Sequence, residues 1–431
     1  MWTAIWTAIV TVLLFVVFLF FLPELRISGK SIKIYPFVPL IGGLLLLPLG
    51  CLDFPDILSS FTADTSVNPI RLLILFLSMT VFSLILEQTG FFPWISGKVL
   101  AHTGNNQYRV FLALYGVISL LTVFTSNDIV ILTFTPFICC FCRSAHIRPV
   151  PYLIMEFVAA NSWSLFLMIG NPTNIYLAGA FDISFMEYLR VMALPTVACG
   201  VVSLGTMLLL FRKDLSRRAE VSCEPAQISD RPLMIVSLLH LLLCVVLLAV
   251  SQYLKLQMWL ISLFTAVSAL ICSGVVLLCR KRSLRPLWNA VRGMPFEIVP
   301  FVCGMFILVL GLDLTGATRA AADLLGGAGI FSYGALSLLC ANLFNNIPMS
   351  VLFSRILAFH ASMPQVYAVV IGSNLGAFVT PLGALAGIMW FKLLRQNQVR
   401  LPVPKFIAYG TVIAVPALVA SLAVLCLTAS A

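Results

Sequence analysis

The chain has 431 residues, of which 61% are hydrophobic and 10% charged, and its mean hydropathy is +1.06. That composition excludes a water-soluble globule, and apolar runs of roughly 20 residues are long enough to cross a bilayer. The formal charge of +10 lies in short clusters between apolar runs, which suits topology signals and argues against a nucleic-acid partner.

In chain order, "MWTAIWTAIVTVLLFVVFLFFL" at 1–22 lacks a basic leader and a cleavage site, so 3–22 is an expected uncleaved span. Crossings follow at 35–52 and 70–87, then a re-entrant segment at 110–142 with its tip at "TSNDI". Next come a broken crossing at 150–180, a crossing at 188–211 and a basic linker at 213–231. The second half offers 232–252, 257–279, 297–312, a re-entrant segment at 331–359 with its tip at "NNIP", a broken crossing at 364–391, and 404–428. With both segments re-entrant, only Arg71, Arg190, Lys255, Arg319 and Arg355 lie opposite the basic loops. The basic side is then cytoplasmic and both termini are extracytoplasmic. Treating the re-entrant segments as single crossings would place "FRKDLSRR" and "CRKRSLRPLWNAVR" outside, against the positive-inside rule.

The halves echo each other. "MTVFSLILEQTG" (79–90) matches "MFILVLGLDLTG" (305–316), and "TSNDIVI" is answered by "LFNNIPM", which pairs Asn127 and Asp128 with Asn345 and Asn346. Asn161 and Gly170 are spaced as Asn374 and Gly383 are, and "ALPT" at 193–196 is echoed by "AVPA" at 414–417. The expected fold is therefore an all-α polytopic membrane protein of two inverted repeats, 1–212 and 232–431. Each repeat has five spans, one of them a broken helix, and one re-entrant hairpin, a pattern typical of secondary transporters.

"LMIGNPTNIYLAG" at 167–179 places Gly170, Asn171, Pro172, Thr173 and Asn174 inside a span. Lipid cannot satisfy a broken backbone, so the break belongs inside the protein beside a polar cavity. Asn171 suits the cap of a half-helix whose first residue, Pro172, needs no N–H. Thr380 and Pro381 are expected to do the same in the second copy. Four half-helix N-termini would then converge near the midplane and favour a polar or anionic solute.

Acidic residues at bilayer depth usually face a cavity and have a task. Asp128, at the first tip, suits a coupling cation or proton, or a helix cap. Glu156 suits a proton relay or a structural partner. The amides Asn127, Asn161, Asn345, Asn346 and Asn374 suit substrate contact or interhelical glue. The 12 cysteines and 4 histidines show no metal-ligand spacing. Paired catalytic groups are also lacking, which argues against an enzyme.

"TSNDIVILTFTP", "MEFVAANSWSLFLMIGNPTNIYLAG", "ANLFNNIPMSVL" and "IGSNLGAFVTPLGALAGIMWFK" resemble the hairpin and broken-helix motifs of the ion transporter superfamily, especially its arsenite permease and citrate-transporter-like branch. The resemblance implies a scaffold and a moving transport domain, often in a homodimer. The cargo would be an anion or metalloid hydroxide coupled to an ion gradient, with no cofactor beyond a coupling Na⁺ or H⁺. Carried onto this chain, Ser126, Asn127, Asn161, Asn171, Thr173 and Asn174 form one half of the site, with Asp128 and Glu156 for the coupling ion. Asn345, Asn346, Asn374, Thr380 and Gly383 form the other half. Ser-Asn-Asp and Asn-Asn-Ile stand where the dicarboxylate carriers of that superfamily have Ser-Asn-Thr, which weighs against sodium–dicarboxylate transport. No Lys or Arg stands at a tip or a break, so a multiply charged anion would depend on helix dipoles and a bound cation. A weakly charged oxyanion or arsenous acid asks less, and a sodium/proton antiporter is the second transport reading.

Overall fold

In the computed structural model, which describes every residue except 22–23, 28–29, 64–67, 218–226, 361 and 430–431, the apolar runs become helices. Among the described residues, nine helices are long and apolar enough to cross a membrane. The first half contains α1 (Trp2–Phe21), α2 (Val38–Leu45), α3 (Phe54–Thr62), α4 (Pro69–Gln88), α5 (Phe91–Leu100), α6 (Gln107–Phe124), α7 (Asn127–Ser144), α8 (Pro149–Trp163), α9 (Pro172–Ala180), α10 (Phe185–Leu210) and the turn α11 (Arg212–Leu215). The second contains α12 (Arg231–Ala249), α13 (Ser251–Leu254), α14 (Met258–Cys279), α15 (Arg285–Gly293), α16 (Ile298–Leu314), α17 (Ala317–Leu324), α18 (Ile330–Phe344), α19 (Asn346–His360), α20 (Met363–Gly376), α21 (Leu385–Gln396) and α22 (Val403–Ala429). A short antiparallel ladder, β1 (Glu24–Ile27) with β2 (Lys30–Lys33), follows α1. The order α4 to α10 recurs as α16 to α22, with a hairpin and a broken helix at corresponding places.

Contacts between loops sort them into two ends of the bundle. At one end Gln107 Nε2 donates to the Arg217 carbonyl at 3.1 Å, Tyr108 Oη to the Arg212 carbonyl at 3.2 Å, and Arg148 pairs with Asp214 at 3.1 Å. The start of α6 and the residues after α7 thus meet the same loop, so this hairpin returns to the end it left. At the other end Gln365 Nε2 donates to the Ala328 carbonyl at 2.6 Å and His360 lies 3.2 Å from Asp323. The α18–α19 hairpin likewise returns to its own end. Helix α10 has 26 residues, a length of about 39 Å, and links Ser184 beside the second end to the 212–217 loop at the first. Arg280 and Arg282 both clamp Asp230, at 3.0 and 2.8 Å, among the basic loops.

Every residue from Pro151 to Ser162 in α8 and from Val366 to Gly376 in α20 is buried. Helices that are buried all round form the centre of a bundle, whereas a lipid-facing helix shows apolar side chains outward. Leu239 and Leu242 on α12, and Phe264 and Ile271 on α14, are exposed in this way.

Several features differ from the sequence reading. The expected crossing at 35–52 is a 3₁₀ turn (Tyr35–Phe37) and the eight-residue α2, far shorter than the roughly 20 residues of a full span. Its glycines explain the form: a Cβ on Gly304 of α16 would lie 2.1 Å from the Leu40 nitrogen, and one on Gly43 only 3.0 Å from the Gly304 carbonyl. Small residues here let two backbones meet. The helices α3, α5, α15 and α17 were not foreseen; α15 carries Trp288 under the Arg292 guanidinium at 4.8 Å, polar and apolar faces in one short segment. The third difference lies at the second break and is described with the site. Part of the expected linker, 218–226, lies outside the described residues.

Candidate substrate site

Four half-helices start at the tips and breaks: α7, α9 and α21 follow the extended residues Ser126, Asn171 and Ala384, and α19 follows Asn345, whose φ is positive. At the first break the expected cap is present. The Asn171 side-chain oxygen accepts from the Thr173 N–H at 3.2 Å, and Pro172 is the first helical residue. Asn171 has φ −148° and ψ 140°; Ala384 has φ −149° and ψ 154°. Gly170 closes against the Ser164 carbonyl, where a Cβ would stand 2.4 Å away, and Gly383 closes against the Gly376 carbonyl, 2.2 Å from a Cβ.

These matches correct the expectation for Thr380 and Pro381. They do not start the second half-helix; Ala384 stands where Asn171 stands, and Leu385 where Pro172 does. Thr380 instead turns the chain ahead of Gly383, its Oγ1 accepting from the Leu382 N–H at 3.2 Å. The Asn-to-Gly spacing carried the correct register, but the Thr-Pro pair resembled a cap-and-start signal and hid it. The tips need a similar correction. Asn127 and Asn346 are the first helical residues, so Asn127 corresponds to Asn346, and Ser126 to Asn345.

The polar residues join in three groups. Asn374 is the centre of the first: its Nδ2 donates to Asn174 Oδ1 at 2.7 Å, and its Oδ1 accepts from Asn171 Nδ2 at 2.8 Å and from Ser164 Oγ at 3.0 Å. Asn174 Nδ2 donates to the Ser164 carbonyl at 2.8 Å, and Thr173 Oγ1 to Asn171 Oδ1 at 3.1 Å. This network fastens the first break to α20. Ser164 was missed by sequence reading, since no spacing signal distinguishes it from other serines in the span. In the second group, Asn345 Nδ2 donates to the Leu382 carbonyl at 3.0 Å and the Asn346 N–H to the Gly383 carbonyl at 3.1 Å. Asn345 has φ +75°, a conformation costly for a side-chain-bearing residue and most often kept at functional sites.

The third group is the first hairpin tip. Asn127 Nδ2 donates to Asn161 Oδ1 at 3.0 Å, and Asn161 Nδ2 to the Phe157 carbonyl at 2.8 Å. Asn127 Oδ1 and Ser126 Oγ are buried without a partner among the described residues. Ser126 provides no side-chain cap, so the first N–H groups of α7 lack the partner that Asn171 supplies to α9. Ala384 cannot supply one to α21 either. Helix α7 packs against α21, and α9 against α19. The two half-helices that start without a capping side chain, α7 and α21, are therefore neighbours.

Asp128 is half-buried in the first turn of α7. Glu156 is fully buried elsewhere. Its Oε1 accepts from Thr135 Oγ1 at 2.9 Å, and Thr135 lies two turns beyond Asp128, about 10 Å along α7. Trp390 lies against Glu156, but among the described residues neither Glu156 Oε2 nor Trp390 Nε1 has a partner in hydrogen-bond geometry. The structure thus separates Glu156 from the tip. Among the described residues no group of His, Cys, Asp or Glu is arranged to hold a metal ion.

Comparison with known proteins agrees with this architecture. The Escherichia coli protein named arsenical pump membrane protein is 28% identical over 377 residues, covering 82% of this chain and 86% of its own length. A 46 kDa membrane protein of Mycobacterium leprae is 25% identical, covering 83% and 85%. The crystal structure of the Alcanivorax borkumensis YdaH transporter superposes with a TM-score of 0.59 at 13% identity, covering 99% of this chain and 98% of that one. The Neisseria gonorrhoeae MtrF structure gives 0.53 at 12%, covering 99% and 94%. The citrate transporter family profile matches residues 25–366. The chain is therefore a multi-pass membrane transporter, not an enzyme, and belongs to the citrate transporter family.

Proposed function

We propose that this transporter is a secondary active carrier that moves a small anion or a metalloid oxyanion or hydroxide by alternating access, coupled to a proton or cation gradient. One observation carries the reading: the two half-helices that start without a capping side chain, α7 and α21, pack together, and at the start of α7 two buried oxygens, Ser126 Oγ and Asn127 Oδ1, have no partner among the described residues. Helix N-termini present N–H groups and partial positive charge to an anion, and a hydroxyl accepts or donates as the solute requires. Asp128, in the first turn of α7, is positioned to bring a cation or a proton. Asn161 orients Asn127, and the Asn171, Thr173, Asn174 and Asn374 network holds the first break. Asn345, Asn346, Thr380 and Gly383 hold the second.

The hairpins that return to opposite ends support repeats 1–212 and 232–431 of inverted orientation, which suits a site exposed alternately to each side. By the positive-inside rule the end bearing the basic loops is cytoplasmic, with both termini opposite. The arsenical pump relatives favour a metalloid cargo and the family name favours a carboxylate. Uptake by proteoliposomes of arsenite, citrate, succinate and phosphate, with pH and sodium gradients imposed separately, tests the proposal. Gradient-driven accumulation of one of these solutes is expected. Sodium-for-proton exchange with no solute uptake would favour the antiporter.

A further inference from the structure

A cavity of about 620 Å³ borders α21 and touches α7 at Leu132, lined also by Lys33, Pro381, Ile388, Lys392 and Arg395 among others. Its wall approaches the uncapped starts without including them: Leu132 is one turn beyond Asp128 on the same face of α7, and Pro381 belongs to the turn that leads into α21. Its outer part lies at the end of the bundle that carries the basic loops, where Arg143 Nη2 donates to the Asn397 carbonyl just beyond α21 at 3.2 Å. The lining contains three cationic side chains and no acidic one. Glu297 pairs with Lys33 from α16 and offsets one of the charges, and Lys392 has a contact of its own. Lys392 and Arg395 are both exposed and share one face of α21 at i, i+3 spacing.

We propose that this cavity collects oxyanions, with Lys33, Lys392 and Arg395 concentrating them at the basic end before they reach the helix starts, which have no Lys or Arg. The inference rests on the transport reading above and gives its cargo a charge: an anion is loaded from this end, not neutral arsenous acid. Clefts lined by one sign of charge raise the local concentration of counter-ions and their on-rates by roughly 10-fold or more, and salt abolishes the gain. The headgroup of an acidic phospholipid shares the same oxyanion chemistry, so the test separates the two sources.

The probe is a cysteine at Gln396, which lines the cavity, placed in the full-length chain on a cysteine-free background. Its reaction rates with an anionic and a cationic methanethiosulfonate are compared in proteoliposomes of phosphatidylcholine alone and with phosphatidylglycerol added. The anionic-to-cationic rate ratio is expected to exceed that of a free thiol by about 10-fold at low salt. It should fall by most of that factor in Lys392→Gln/Arg395→Gln and converge at high salt, in both lipid mixtures. The same double variant should slow citrate loading from the basic end several-fold at low salt and leave loading from the other end unchanged. Equal ratios in both backgrounds would overturn the proposal whatever the carrier moves. Slowed citrate loading confined to phosphatidylglycerol membranes would assign the cluster to lipid headgroups and overturn it for cargo. A charge-dependent ratio without uptake of any test solute would support the collecting cavity and contradict the transport reading instead.

Discussion

Asn374 Nδ2 donates to Asn174 Oδ1 at 2.7 Å across 200 residues of chain, and the two side chains are fully buried. The bond joins the half-helix after the first break to the helix before the second, so the two halves share one polar knot. Removing a buried partner leaves the other unsatisfied, at about 1–3 kcal/mol for each orphan. Asn374→Ala removes a partner from both Asn174 and Asn171, while Ser164 Oγ keeps the Asn161 carbonyl, and should lower the melting temperature more than Asn174→Ala. A double-mutant cycle between Asn174 and Asn374 should show coupling of about 0.5–3 kcal/mol; additive losses would mean that the amides do not act as a unit.

The glycines at the breaks offer a test of backbone closeness. Gly170→Ala and Gly383→Ala each force a Cβ to within 2.4 Å or less of a backbone oxygen and should cost about 1–3 kcal/mol. Gly205→Ala in α10, where a Cβ meets nothing within 4 Å, should be neutral or stabilise by up to about 1 kcal/mol. Thermal unfolding of the three purified variants checks this order.

The long apolar helices were the most legible part of the sequence, because hydropathy acts over whole spans and does not depend on which side chains meet. The Gly170 break, with Asn171 as cap and Pro172 as first helical residue, was legible for a local reason: cap chemistry is written in adjacent residues. The second break was not, because Ala384 has no capping side chain and its role comes only from the backbone turn made by Gly383. Partnership was also hidden. Nothing in the spacing of Asn374 says that it bonds Asn174 and not a solute, since both uses require the same amide. The lengths of α3, α5, α15 and α17 fall below a span window, and their burial depends on neighbours distant in sequence.

Orientation can be tested in cells. Single cysteines at Ser216 and Asn289 on a cysteine-free background should resist impermeant thiol reagents, whereas one at Ser184 should label. Labelling of position 289 from outside would reverse the proposed sidedness.

Coupling is expected to depend on Asp128. Asp128→Asn keeps the size and hydrogen-bonding capacity of the side chain but removes the charge. The variant should fold and bind substrate yet lose gradient-driven accumulation. Accumulation equal to wild type would leave Asp128 with a helix-terminal role only.

The site itself is tested most directly by measuring affinity and thermal stability on the same purified variants. Asn127 has an oxygen without a partner beside the uncapped starts, whereas Asn345 spends its amide on the Leu382 carbonyl. Loss of one direct hydrogen bond to the cargo should cost about 1–3 kcal/mol of binding, roughly tenfold or more in affinity. Asn127→Ala should therefore bind at least about tenfold more weakly, on top of the stability it loses with the bond to Asn161, and Asn345→Ala should lose stability more than affinity. Unchanged affinity in Asn127→Ala would contradict a cargo site at the α7–α21 starts.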